Sequence, residues 1–268
     1  MKEIQAILSG SNTHIYDFKE LKKEICEGCG QEVTFFEVPL IGGPNKGKLI
    51  ETKKGCKCEE IKLVEETYQA RERAKKAYAL DLFEEKSLIN NKLKKATLNN
   101  YNPSDESQEN ALKWACDYCR MFDPQKSNNA LFAGSYGLGK SHIAVGITKY
   151  LMAKGYPCIF TSVPKLFTKI KASWDKNSQH NEQDLLDALE IVDFLVLDDL
   201  GAEQASQWQL SKLFEVIDTR QGKPTIYTTN HNNESLAEQV GLRNFDRLCE
   251  DVEIIKFIGT SYRKRENF

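Results

Sequence analysis

The stretch ALFAGSYGLGKSHIAV, residues 130–145, decides the fold of this chain. Within it, residues 134–141 read GSYGLGKS and match the pattern G-x-x-x-x-G-K-[ST], directly after a strand-like run and directly before a helical one. Glycines at these positions allow the tight turn that points backbone N–H groups at phosphates, and the start of the following helix adds positive potential. The stretch therefore predicts a strand, a phosphate-binding P-loop and a helix, in that order.

The P-loop assigns roles to individual side chains. We expect Lys140 to lie against the β- and γ-phosphates of ATP, and Ser141 to ligate Mg²⁺. The full set of P-loop residues expected to contact the nucleotide is Gly134, Tyr136, Gly137, Leu138, Gly139, Lys140, Ser141 and His142. A chance match in a glycine-rich loop is the alternative, and the flanking strand and helix argue against it.

A pair of aspartates ends a second apolar run. The strand-like FLVL of residues 194–197 is followed by Asp198 and Asp199. Because ligands bind at the carboxyl ends of strands in parallel sheets, we expect Asp198 to hold Mg²⁺ and Asp199 to polarise the attacking water. In the alternative interpretation both aspartates only cap the strand. Asn230 ends a further apolar run, TIYTTN, at a position that suits a sensor of the γ-phosphate.

From residue 129 onward, apolar strand-like runs alternate with helical stretches. ALFAG is followed by a helix, CIFTSV by a second, DFLVLDDL by a third, and TIYTTN continues the pattern. Such alternation predicts an α/β domain in which a parallel sheet carries helices on both faces.

Four cysteines near the start of the chain have metal-ligand spacing. Cys26 and Cys29 form a C-x-x-C knuckle, and Cys56 and Cys58 form a tighter C-x-C pair. Between the pairs, VTFFEVPLIGGPNKGK predicts a β-hairpin in a unit too small for a core of its own. We expect a tetrahedral Zn²⁺ site to supply the missing stability. The alternative is four reduced thiols; His14 is a possible substitute ligand, although we expect it to be solvent-exposed.

Cys116 and Cys119 lie one helical turn apart on the run ALKWACDYCRMF. We expect both to be buried beside Trp114 and Met121 and not to bind a metal, because no further close pair completes a second site.

A long charged helix separates the two ends of the chain. The segment from Glu59 to about Asn91 lacks Gly and Pro, is rich in good helix formers, and has sparse apolar positions typical of a solvated linker. We predict three regions: a zinc-binding β unit at 1–60, the helical linker at 61–95, and the P-loop domain at 96–268. Ser104 and Ser107 are the candidate caps of the helix that follows the linker.

The net charge of the chain limits how it could bind nucleic acid. A net charge of -2 provides no overall attraction to nucleic acid, so such contact requires a local basic patch. The helix PKLFTKIKASW carries three lysines, Lys165, Lys169 and Lys171, interleaved with the aromatic residues Phe167 and Trp174. Basic and aromatic residues in this arrangement are typical of a surface that binds single-stranded DNA. Its apolar residues fit equally well as the core stripe of an amphipathic helix.

No apolar run reaches the roughly 18 to 20 residues that span a bilayer, and the polar start lacks the apolar region of a signal peptide. We therefore expect a cytoplasmic protein without a membrane partner.

The order of motifs is more specific than any one of them. GSYGLGKS, LVLDDLG, IDTRQGKPTIYTTN, LRNFDRL and SYR follow one another in the C-terminal region. This series resembles the DnaC/DnaI family of bacterial or phage replicative helicase loaders, AAA+ proteins related to the IstB-like transposition ATPases. The resemblance covers roughly residues 96–268, and the match of the N-terminal cysteine unit and linker is looser.

The resemblance implies two arginine roles. Arg247, in the D-R-L motif, matches the finger that reaches the ATP of a neighbouring subunit, which implies a homo-oligomer; Arg243 is a nearby competitor. Arg263 matches the sensor-II arginine, which contacts the γ-phosphate in its own subunit. The catalytic set is then Lys140, Asp199, Asn230 and Arg247. Most AAA+ ATPases carry Glu where this chain has Asp199, so we expect weak or partner-stimulated hydrolysis.

The resemblance also implies a function. A loader of this kind grips a hexameric replicative helicase through its N-terminal region, places it on single-stranded DNA, and releases it on ATP hydrolysis. Two alternatives remain: an IstB-like ATPase that assists a transposase, and a nucleotide-binding helicase adaptor that does not hydrolyse ATP.

Overall fold

The chain divides into two compact units, between Glu72 and Arg73, in a computed structural model that describes residues 19–84 and 93–262. His14 and Arg263 lie outside the described residues. The two units are considered separately below.

The first unit is built on an antiparallel sheet in the order β1-β2-β3. Its strands are β1 (Lys19–Ile25), β2 (Glu32–Pro39) and β3 (Leu49–Lys54). The predicted hairpin between the cysteine pairs is confirmed as β2 and β3. Within the described part of this unit, Val33 is the only hydrophobic side chain that is fully buried, at 2% exposed. The sheet therefore lacks a core of its own, as the sequence predicts.

Helix α1 (Cys58–Glu84) crosses the boundary between the units. The prediction of a long helix from Glu59 is confirmed, and its predicted end near Asn91 falls outside the described residues. In the second unit, α1 buries Ala79 in the hydrophobic core, and Lys76 pairs with Asp193 at 2.6 Å. Two 3-10 turns, Leu93–Lys95 and Leu98–Asn100, precede the main body of this unit.

The second unit contains a five-stranded sheet in the order β5-β6-β7-β4-β8, and every strand pair is parallel. Its strands are β4 (Asn129–Gly134), β5 (Cys158–Ser162), β6 (Phe194–Leu200), β7 (Thr225–Thr229) and β8 (Val252–Phe257). All carboxyl ends therefore meet at one edge, and β4 is flanked by β7 and β8.

Helices cover both faces of this sheet. They are α2 (Glu106–Met121), α3 (Lys140–Ala153), α4 (Val163–Ala172), α5 (Glu182–Ile191), α6 (Gln207–Thr219), α7 (Asn233–Val240) and α8 (Leu242–Cys249). Successive residues of β6 join different cores: Phe194 packs with α2 and α3, and Leu195 packs with α4, α5 and α6. The predicted α/β class with helices on both faces is confirmed.

Two local predictions need correction at α2. Neither Ser104 nor Ser107 is its N-cap: Asp105 takes that position, and its carboxylate accepts the N–H of Gln108 at 3.2 Å. An aspartate suits an N-cap because its charge also favours the helix dipole. Ser107 instead binds the residue directly after β8, since its hydroxyl accepts the N–H of Ile258 at 2.7 Å.

The α2 cysteines agree only in part with their prediction. Cys119 is buried in the core beside Trp114, as expected. Cys116 is half-buried, and Met121 is 75% exposed because it ends the helix on its solvent side. In the part of the chain that the structure describes, neither cysteine belongs to a metal-ligand cluster.

The apolar residues of helix α4 form the core stripe of an amphipathic helix, which is one of the two interpretations of its sequence. Leu166, Phe167 and Ile170 are buried, and Lys171 lies over the ring of Trp208 with its ammonium 5.1 Å from the centroid. Trp174 remains 54% exposed. Contact with single-stranded DNA stays a prediction. Across residues 19–84 and 93–262, no helix is both long and apolar enough to cross a bilayer.

Candidate nucleotide site

The P-loop joins β4 to α3 in a conformation that its glycines permit. Gly134 has φ +154° and Gly139 has φ +90°, where L side chains are strained. Space is also absent: a Cβ at Gly134 would lie 2.1 Å from the Phe257 carbonyl oxygen, and one at Gly139 would lie 2.4 Å from the Tyr101 ring. Both glycines are therefore required by turn geometry and by close packing.

Lys140 is buried at the first position of α3, with 5% exposed. Its ammonium donates to the carbonyl oxygens of Gly134 and Ser135 and to Oδ1 of Asn230, each at 2.8 Å. Asn230 directly follows β7, which lies beside β4 in the sheet. The structure thus brings together two of the residues that we expect at the γ-phosphate.

Asp198 and Ser141 meet beside this lysine. The Ser141 hydroxyl donates to Oδ1 of Asp198 at 2.8 Å, and the Thr228 hydroxyl donates to the same oxygen at 2.6 Å. Burial raises the pKa of Asp198, and the charge of Asp199 adds to that rise; the hydroxyls and Lys140 oppose it. A buried carboxylate and a hydroxyl are hard oxygen donors of the kind that Mg²⁺ prefers, so this pair fits the ion.

Asp199 has an uncommon backbone. Its φ of +57° makes it the only non-glycine residue with a positive φ in the described ranges. The pairing of β6 with β7 is irregular between Leu197 and Leu200, which gives the chain room for this turn. Its N–H donates to the Thr228 hydroxyl at 3.0 Å, and its side chain lines a cavity beside α4 and α6. The turn directs the two neighbouring carboxylates to different surroundings.

Two tyrosines brace the P-loop from outside it. The Tyr101 hydroxyl donates to the Leu138 carbonyl oxygen, and the Tyr262 N–H donates to that of Gly137, each at 2.9 Å. Tyr136, within the loop, is 60% exposed. Sequence reasoning missed both bracing tyrosines and Thr228, because loop tyrosines and strand threonines carry no pattern of their own.

His142 packs against the 3-10 turn that precedes α2. Its Nε2 lies 3.0 Å from the Thr97 carbonyl oxygen and 2.9 Å from Oδ1 of Asn100. Burial lowers the pKa of this imidazole. The ring therefore connects the start of α3 to the 3-10 turn before α2.

Arg247 lies near the amino ends of the strands, at the edge of the sheet opposite to the P-loop. It pairs with Asp218 at 2.8 Å and with Glu250 at 2.9 Å, and it lines a shallow cavity with Asn129 and Gly222. Asn129 begins β4, whose six residues span about 17 Å before the P-loop. Arg247 is consequently remote from Lys140 of its own chain.

Arg243 is stacked rather than ion-paired in its principal contact. Its guanidinium carbon lies 3.7 Å from the centroid of the Phe214 ring. This cation–π contact holds the side chain against α6. The two arginines therefore differ in their contacts: Arg247 is ion-paired with carboxylates, and Arg243 is stacked on a ring.

The four N-terminal cysteines form one cluster. All four Sγ atoms lie within 4.8 Å of one another, with Cys26 3.4 Å from Cys58 and 3.8 Å from Cys56. Thiolates around tetrahedral Zn²⁺ are separated by about 3.8 Å, so the cluster fits that ion. Cys29 also accepts the Lys57 N–H at 3.4 Å. Hydrogen bonds from the backbone of Cys29 and from the Cys58 side chain lower the pKa of Cys26 to about 6.

Comparison with known proteins identifies the family. The family model described as IstB-like ATP binding protein matches residues 63–268, most of the chain. This chain is an IstB-like ATP-binding protein. The replicative helicase loader DnaC of Escherichia coli strain K12 is 31% identical to it over 169 residues, which cover 62% of this chain and 68% of that relative.

Solved structures agree with this assignment. The crystal structure of the DnaC helicase loader shares 28% sequence identity, with a TM-score of 0.58, and covers 63% of this chain and 100% of its own. The crystal structure of DnaI, at 24% identity and a TM-score of 0.55, covers 65% of this chain and 93% of its own and supports the fold alone. The resemblance drawn from the ordered motifs and the AAA+ fold class are both confirmed for this IstB-like protein.

Proposed function

We propose that this IstB-like protein is an ATP-dependent loader of a hexameric replicative helicase. The proposal is supported by the contact of Lys140 with Asn230 and of Ser141 with Asp198 beside the P-loop, in a chain that is similar to named helicase loaders. The loader places the helicase on single-stranded DNA, and hydrolysis of ATP releases it.

The residues around the P-loop divide the chemistry among them. Lys140 gives up its hydrogen bonds to carbonyl oxygens of the loop and binds the β- and γ-phosphates instead. Asn230 senses the γ-phosphate. Ser141 and Asp198 would hold Mg²⁺, which would neutralise charge on the phosphates. Asp199 orients and polarises the attacking water. Gly134, Tyr136, Gly137, Leu138, Gly139, His142 and Arg263 complete the proposed nucleotide contacts.

Arg247 completes the site of a neighbouring subunit in this proposal. Its position at the opposite strand edge supports a role in trans, because a residue there does not reach its own P-loop. Within one chain, Asp218 and Glu250 bind the guanidinium of Arg247. In the assembled homo-oligomer, a phosphate of the neighbouring subunit's ATP competes with these carboxylates for the guanidinium. An arginine delivered in trans makes hydrolysis depend on assembly.

The N-terminal region is the proposed helicase-grasping arm. Residues 1–60 form the zinc-supported unit, residues 61–95 the linker, and residues 96–268 the ATPase domain. A sheet without a core of its own is a poor stand-alone fold, which supports a structural Zn²⁺ on Cys26, Cys29, Cys56 and Cys58.

A pull-down with the cognate replicative helicase tests this proposal. It compares ATP with ADP, and wild type with the double variant Cys56→Ser/Cys58→Ser. We expect nucleotide-sensitive capture that the double variant loses. Cys249→Ser is the matched control, because Cys249 is exposed and lies outside the cluster. Capture that is absent in every condition would instead favour a transposase partner.

A helicase adaptor with negligible hydrolysis is the second candidate. It is favoured by the short, backbone-constrained Asp199 in the position of the water-polarising carboxylate. Lys140→Ala separates the candidates: a switch loses both ATP turnover and helicase loading, whereas an adaptor keeps its affinity for the helicase. Normal loading by this variant would exclude the loader mechanism.

A further inference from the structure

One threonine hydroxyl connects the two aspartates of the nucleotide site. Thr228 lies on β7 and is 1% exposed. Its hydroxyl donates to Oδ1 of Asp198 at 2.6 Å and accepts the N–H of Asp199 at 3.0 Å. The same group thus contacts the proposed Mg²⁺ carboxylate and the backbone of the proposed water-polarising residue.

The strand places Thr228 where two functional contacts converge. Thr228 is the penultimate residue of β7, and Asn230 directly follows the strand. Asn230 accepts from Lys140, and Thr229 donates to the Leu200 carbonyl oxygen at 2.9 Å. The carboxyl end of β7 therefore serves both the phosphate lysine and the aspartate pair.

Each of the two hydrogen bonds of Thr228 restrains one of the two aspartates. Asp198 is buried, and its Oδ1 accepts hydrogen bonds from the hydroxyls of both Ser141 and Thr228. These bonds restrain the orientation of the carboxylate. Asp199 sits at φ +57°, a conformation that costs a non-glycine residue free energy unless the surroundings hold it there. The Thr228 hydroxyl is such a restraint, because it accepts the Asp199 N–H at 3.0 Å in that turn.

We infer that Thr228 is a positioning residue for the metal and water sites: it holds Asp198 and Asp199 in the mutual arrangement that Mg²⁺-dependent hydrolysis requires. This inference rests on the proposed ATPase function. Serine keeps the hydroxyl and preserves the arrangement; valine keeps the shape and removes both hydrogen bonds.

The experiment measures Mg²⁺ dependence by two readouts. The first is the binding of the non-hydrolysable nucleotide AMPPNP as a function of Mg²⁺ concentration, and the second is steady-state ATP turnover. For Thr228→Val we expect unchanged AMPPNP binding without Mg²⁺, about a tenfold higher Mg²⁺ requirement, and about a tenfold lower kcat with little change in KM, because a hydrogen bond to a charged group is lost. Thr228→Ser restores wild-type values.

Two further variants keep the test decisive. Thr228→Ala removes the hydroxyl without placing a methyl group against the carboxylate, so it must behave as the valine variant does even if valine prevents folding. Thr148→Val is the control for a buried threonine remote from the site; it loses only a bond to the Ala144 carbonyl oxygen and keeps the wild-type Mg²⁺ response.

The outcomes separate this inference from the proposed function. A wild-type Mg²⁺ response that both hydroxyl-free variants retain would overturn the inference alone. A wild-type protein that binds AMPPNP with no response to Mg²⁺ would overturn the ATPase proposal, and the inference with it.

Discussion

Asp199 shows how a single residue combines strain with chemistry. In the left-handed region, Asp and Asn are tolerated better than most residues because their short polar side chains interact with nearby backbone. Glu, which most AAA+ ATPases carry here, lacks that advantage. The φ of +57° therefore gives a local reason for the aspartate in this chain.

Substitution of Asp199 separates these two roles. We expect both Asp199→Asn and Asp199→Ala to lower ATP turnover at least a hundredfold, because each removes the polarising carboxylate. The free energy of unfolding in urea should fall by about 1 kcal/mol for alanine and remain near wild type for asparagine, which tolerates the turn. An asparagine variant that turned over ATP normally would remove Asp199 from the mechanism.

Arg247 can be tested by mixing two inactive proteins. Arg247→Ala keeps its own P-loop but lacks the proposed finger, and Asp199→Asn keeps the proposed finger. If the finger acts in trans, a mixture regains part of the ATP turnover that neither variant shows alone. Arg243→Ala is the control, since Arg243 stacks on Phe214, and it should hydrolyse ATP without a partner variant. A mixture as inactive as its components would argue for a role within one chain.

At the scale of elements, Arg220 joins α5 to β7. It is 1% exposed, and its guanidinium donates to the carbonyl oxygens of Leu189 and Val192 at the end of α5 and of Pro224 before β7. Such bonds satisfy carbonyls that a helix end leaves free. The strand that presents Thr228 and Asn230 is thus anchored at its other end by an arginine without a catalytic role.

Loss of this arginine should be costly. Arg220→Met leaves several buried carbonyl oxygens unpaired, and we expect the free energy of unfolding in urea to fall by about 3 kcal/mol. Lys223→Met serves as the control on the same turn: its pair with Glu190 is exposed, so the loss should stay below about 1 kcal/mol. Equal losses for both variants would contradict the anchoring role of Arg220.

Elements with strong local signals are the ones that sequence predicts well. The P-loop, the strand before Asp198 and the β2–β3 hairpin each combine apolar runs with turn residues. Strand β1, KELKKEI, escapes prediction because it is exposed throughout and alternates charges rather than apolar residues. Strand β8 and the bracing contacts of Tyr101 also escape, since they depend on pairing with residues distant in the chain.

At the scale of the molecule, the two units have different sources of stability. The second unit has buried cores on both faces of its sheet. The described part of the first unit has one buried apolar side chain and a cluster of four thiols. Stability in the first unit should therefore depend on metal, whereas stability in the second should not.

Metal removal tests this difference. With a strong chelator, or in Cys56→Ser, we expect the first unit to unfold while the second keeps its thermal transition and its ATP binding. Circular dichroism against temperature, with metal content measured by mass spectrometry, follows both units at once. Cys249→Ser should retain metal and both transitions. A wild-type first unit that stayed folded without metal would contradict a structural Zn²⁺ site.

The three acceptors around Lys140 also bear on how much free energy a new partner of this side chain can contribute. An ammonium has three protons, and here Gly134, Ser135 and Asn230 each accept one. Under the proposed function, a phosphate gains its contact with Lys140 only by displacing acceptors that the fold already supplies. The net free energy of that contact is therefore smaller than the new hydrogen bonds alone would give.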